Sequence, residues 1–112
     1  MSDAEERLAL IKQNYDSAAD NEPNDLVNAK DVASVTAIQA NLAKAKSVYY
    51  SAITSELTNT APTVDKAFKL AKDALKAIED ARNAAAELPD IINKLAYGTD
   101  KANTLLNKAK KI

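Results

Sequence analysis

Residues 64–81 read VDKAFKLAKDALKAIEDA. Val64, Phe68, Ala71, Leu75, Ile78, Ala81 and Ala85 recur at spacings of three and four, and Lys66, Lys69, Lys72, Asp73, Lys76, Glu79 and Asp80 occupy the other faces. Side chains three or four apart lie over one another on an α-helix, so this pattern predicts an amphipathic helix and not a strand. A longer order runs through it. Ala67, Ala74, Ala81, Leu88, Leu95, Ala102 and Ala109 stand seven apart, and so do Val64, Ala71, Ile78, Ala85 and Ile92. A seven-residue apolar repeat predicts a coiled-coil-like seam between packed helices.

Pro89 interrupts this repeat. Inside a helix a proline loses a hydrogen bond and clashes with the preceding turn, whereas in the first turn of a new helix it fits. One helix kinked at Pro89 and two helices in a common register both satisfy the spacing. A chain of this length folds back more readily than it extends, which favours two helices, 63–87 and 90–111. Gly98, the single glycine, stands seven residues from both Ile91 and Leu105. It is expected to be a small contact where another helix approaches closely, rather than a helix stop.

Upstream, Thr58-Asn59-Thr60-Ala61-Pro62-Thr63 reads as a loop, with Thr63 as the next N-cap. Before it, Val35, Ile38, Leu42, Tyr49, Ile53 and Leu57 fall within one helical arc, which predicts a long helix over 25–58 capped by Asn24 or Asp25. The first helix is expected over 3–20. Ser2 and Glu5 form its capping box, Ala4, Leu8, Ile11, Tyr15 and Ala18 its stripe, and Asp20 to Asn24, with Pro23, its stop. The expected fold is a single all-α domain over 1–112, an antiparallel bundle of three to four helices.

Composition removes many functions. The 112 residues include no Cys and no His, so thiol nucleophiles, imidazole bases, disulfides and Glu-x-x-His di-iron sites are excluded. One Gly rules out a glycine-rich phosphate loop. The carboxylate pairs Asp16/Asp20 and Glu79/Asp80 are expected to face solvent, so no enzyme activity, catalytic residue or cofactor is expected. For metal, Asp20, Glu22, Asn24 and Asp31 have the spacing of calcium ligands, but Asp25 stands where the turn needs Gly and Pro23 intrudes. A polar interhelix turn is the better account of that segment.

The net charge is −1, made of −5 over residues 1–31 and +4 over 32–112. That balance gives no reason to expect nucleic acid as a partner. No apolar run reaches membrane-spanning length, and the acidic N-terminus is unlike a signal peptide. A soluble, cytoplasmic protein is expected unless an export signal precedes this segment. Alanine, 23 of the residues, lets helices approach closely but buries little area. The function expected from this is that of a structural or interaction module, binding a protein partner or a second copy. Tyr50, Tyr97 and Gly98 are its candidate contacts. The alternative is an amphipathic protein of a lipid or granule surface, which the lack of Trp disfavours.

Overall fold

Four α-helices follow one another in a computed structural model that describes residues 2–110: α1 (Ala4–Asn28), α2 (Val32–Ile53), α3 (Pro62–Asn83) and α4 (Leu88–Ala109). No strand occurs among the described residues.

The helices begin and end where side chains satisfy free backbone groups, and several ends lie away from the sequence-based expectation. The capping box of α1 is Asp3 with Glu6, not Ser2 with Glu5. Asp3 Oδ1 accepts from the Glu6 N–H at 2.8 Å, and Glu6 Oε1 accepts from the Asp3 N–H at 3.2 Å. Ser2 instead donates its N–H and hydroxyl to Asp65 at 3.1 and 2.9 Å, which ties the start of α1 to α3.

The expected stop at 20–24 does not occur, because α1 continues through Pro23 to Asn28. Asp25 is the physical reason. It is buried, and a helical backbone delivers it to Arg82 of α3, which donates Nη1 and Nη2 to its two oxygens at 2.8 and 2.9 Å. Asn21 and Asn28 reach back to the helix carbonyls of Ser17 and Asn24 instead of breaking the helix. The turn therefore falls at 29–31, and Asp31, not Asn24 or Asp25, caps α2 by accepting from the Ser34 N–H at 2.7 Å.

At its other end α2 closes at Ile53, short of the expected 58. Hydroxyls of Thr54 and Ser55 take the carbonyl of Ser51. The Leu57 and Asn59 carbonyls go to Arg7 Nη1 at 2.7 and 2.9 Å. Leu57 is buried, but from the connection and not from a helical stripe. Within α2 the buried seam is Ile38, Asn41, Ala45, Val48 and Ala52, while Ile53 is exposed.

Pro62, not Thr63, opens α3, and Ala61 precedes it as an N-cap without a side-chain bond. The Pro89 alternatives resolve into two helices. The Ala85 N–H bonds the Arg82 carbonyl and the Ala86 N–H bonds the Ala81 carbonyl, with Ala85 left-handed at φ 54°. This is a Schellman stop with alanine in the position glycine usually takes. Pro89 then sits in the first turn of α4, where its missing N–H costs nothing. The last helix closes at Ala109 with Lys110 as C-cap, and residue 111 of the expected span lies outside the described residues.

Helices α1 and α4 each pack against the other three, whereas α2 and α3 do not meet. The molecule is thus two pairs of helices consecutive in the chain, α1–α2 and α3–α4, joined through α1 and α4. The connection 54–61 crosses one end. The expected seams lie inside: Ala67, Ala74, Ala81, Leu95, Ala102 and Ala109 are buried, as are Val64, Ala71 and Ile78. The turn at 84–87 breaks the second series, leaving Ala85 exposed and Ile92 half-buried. Of the twenty-one buried apolar residues described, nine are alanine, so helices approach closely at modest apolar area per residue. Among the described residues no helix is long and apolar enough to cross a membrane.

Candidate functional site: an open groove between α1 and α3

Because α1 and α3 meet least of all touching pairs, a groove of about 480 Å³ stays open between them. Its floor is Leu10, Phe68 and Leu75, with Ala9 at the edge. Leu10 and Leu75 are largely covered, and Phe68 is half-buried. One lip, on α1, carries Glu6 and Gln13. The other, on α3, carries Lys72, Asp73, Lys76 and Glu79. Lys76 binds Asp80 at 3.2 Å, one turn on, whereas Lys72 has no carboxylate partner among the described residues. The result is an apolar trough between a lip with one carboxylate and a lip on which two lysines stand among two carboxylates.

A second concavity, about 710 Å³, lies at the end where the turns 29–31 and 84–87 face each other. Asn21, Asn24 and Asn28 present amides to it, and the Asp25–Arg82 pair lies in its wall. Arg82 Nε is buried without a hydrogen-bond partner. The pair fastens the last turn of α1 to the last turn of α3. It is an internal tie, since both carboxylate oxygens are already occupied.

At the opposite end Arg7, buried, donates to Ser2 as well as to Leu57 and Asn59, and lies 3.8 Å from Asp65. The Ser2 N–H and hydroxyl, and secondarily the nearby Arg7 charge, hold the Asp65 carboxyl below the usual aspartate range. The Ser34 N–H does the same for Asp31. Lys12 is pushed up by its bond to Asp16, one turn on at 3.0 Å.

The residues singled out in the sequence are scattered. The calcium-like set does not assemble: Asp20, Glu22 and Asn24 stand on successive faces of α1, and Asp31 is an N-cap. The helix removes the loop that calcium coordination requires. No cluster of three or more potential metal ligands occurs among the described residues. Tyr50 and Tyr97 are half-exposed on α2 and α4, covered by Lys46 at 5.5 Å and Lys101 at 5.0 Å. Neither lines the groove. Tyr49, next to Tyr50, stacks on Tyr15 of α1 with centroids 5.7 Å apart. Gly98 is buried, facing Ile78 of α3 and Asn14 of α1, so its close approach is made inside the chain.

The sequence reading passed over Leu10, Phe68, Leu75 and Lys72 as groove residues. Phe68 and Leu75 carry the signal that was present: they widen the stripe of α3 beyond the Val64, Ala71 and Ile78 line, leaving apolar surface that α4 alone does not cover. Comparison with known proteins found no matching family model, no matching curated protein and no matching solved structure.

Proposed function

We propose that this chain is a non-enzymatic helical interaction module, a single antiparallel bundle whose α1–α3 groove seats the apolar stripe of a helix from another polypeptide. The observation that supports this is the groove floor of Leu10, Phe68 and Leu75, left between two helices that barely meet. Helix-in-groove recognition requires such a trough, with apolar anchors at i, i+3 or i+4, and i+7 of the bound segment. Exposed lysines and carboxylates along the lips set its orientation.

Selection of helical peptides from a displayed library tests this. Binders are expected to carry that apolar periodicity and to lose at least about tenfold in affinity on Ala9→Arg, which fills the groove edge. Absence of helical binders, or binders indifferent to Ala9→Arg, would overturn the proposal. The lipid- or granule-surface alternative requires the buried faces of the bundle to open. Flotation of the folded chain with liposomes would favour it.

A further inference from the structure

The turn between α3 and α4 is made of residues that oppose it. Ala84, Ala85 and Ala86 are the strongest helix formers, yet they sit between two helices, and none of residues 84–87 is a Gly, Asn, Asp, Ser or Pro of the kind turns use. Ala85 holds the left-handed conformation at φ 54°, which an L side chain resists. Little anchors the segment in return. Ala84, Ala85 and Glu87 are exposed and Ala86 is half-buried, and no side chain of residues 83–89 makes a hydrogen bond or ion pair among the described residues. Across this turn the seven-residue series runs on without a slip: Ala67, Ala74 and Ala81 on α3, then Leu88, Leu95 and Ala102.

A strained connection between elements whose register is continuous has a second solution. We infer that the α3–α4 turn is a hinge through which two copies of this chain exchange α4, each straightening residues 83–89 so that α3 and α4 become one helix. The partner is a second copy, and this goes beyond the groove reading, which needs neither the hinge nor the exchange.

The exchanged dimer keeps the contacts of the single chain. Helices α3 and α4 pack on one another more extensively than any other pair, and the end of α4 returns to the start of α3, where the Asn59 N–H bonds the Ala109 carbonyl at 3.1 Å. In the dimer α4 of each copy makes these contacts with α3 of the other, and Thr99 meets Asn14 across copies. Residues 62–109 as one helix span about 70 Å, long enough to reach from one bundle into the next. Core, caps and the Asp25–Arg82 pair are the same in both states, so the balance between them rests on the two hinges and on concentration.

Two residues pull the hinge in opposite directions. Ala85 favours the open form, where it is helical. Pro89 favours the closed form, because a helix through it loses a bond and crowds the Ala85 carbonyl. This chain does run a helix through a proline, at Pro23 of α1.

Refolding the full chain from urea tests the exchange. A short tether holds α4 near its site at an effective concentration of about 1 mM, so dimer is expected after refolding at about 1 mM and monomer after refolding at about 1 μM. Each substitution acts on two hinges per dimer. Pro89→Ala is expected to raise the dimer association constant at least tenfold, and Ala85→Gly to lower it at least tenfold, by sedimentation of each variant with its helix content recorded. The decisive measurement co-refolds isotope-labelled with unlabelled chains. Ile78 of α3 lies against Gly98 of α4. In the dimer that contact is expected between a labelled and an unlabelled chain, in an isotope-filtered NOE spectrum.

A chain that is monomeric after refolding at about 1 mM overturns the inference. So does a dimer whose Ile78–Gly98 contact stays within one chain, or one that either substitution leaves unchanged. Helical-peptide binding by the monomer would keep the groove reading intact in any of these cases.

Discussion

At position 98 the presence of glycine has a spatial cause. A Cβ there would lie 2.9 Å from Ile78 Cδ1 and 3.0 Å from Asn14 Oδ1. Ile78 is fully buried, and Asn14 is held by its bond to Thr99 at 3.1 Å, so neither moves freely. Gly98→Ala is therefore expected to destabilise by about 1 kcal/mol, overpacking exceeding the gain alanine makes over glycine in a helix. In an Ile78→Val background, which removes Cδ1 and leaves only the Asn14 contact, the same change is expected to cost clearly less. Equal cost in both backgrounds, measured by urea denaturation, would refute the steric account. Position 85 is the opposite case. Ala85 adopts a left-handed conformation with its Cβ in the way. Ala85→Gly is expected to raise stability by about 0.5–1 kcal/mol, the relief of strain exceeding glycine's larger unfolded-state entropy. No rise in the denaturation midpoint would show that the strain is absorbed elsewhere.

At the scale of elements, α1 carries a proline that it does not need for its course. Pro23 is exposed and lies inside the helix. Its ring removes one backbone bond and crowds the carbonyl four residues earlier. Pro23→Ala is expected to stabilise by about 1–2 kcal/mol, less than the full cost of an interior proline because the unfolded chain also becomes looser. A neutral or harmful effect in the same denaturation measurement would mean that the helix gains from the proline elsewhere. The same helix shows where periodicity is informative and where it fails. The heptad seams of α3 and α4 were legible because apolar spacing directly reports which face is covered. The extent of α1 was not, because it is fixed by Asp25 meeting Arg82, fifty-seven residues away. Arg7, Asn14 and Thr99 are buried for similar reasons, each with a partner on another element. A hydropathy pattern assigns such polar residues to the surface. The groove was only half legible: Phe68 lay on a stripe, but that it would be left partly uncovered depends on how little α1 and α3 meet.

For the whole molecule, unequal contact makes unequal stability. Helices α1 and α4 touch every other helix, while α2 and α3 each rest only on those two. Local opening follows the elements with fewest partners. Native-state hydrogen exchange is expected to be slowest in the middle of α1 and α4 and faster in α2 and α3. Uniform protection across all four helices would show instead that the bundle opens only as a unit.

The crossing segment between α2 and α3 has a further consequence. Thr58 and Thr60 are exposed there, and the chain on either side holds a complete pair of helices. Covalent continuity at that point contributes little beyond raising the local concentration of one half near the other. Peptides 1–59 and 60–112, made separately, should find each other when mixed and rebuild the helical signal of the intact chain, so that a nick there converts one polypeptide into a complementing pair of fragments.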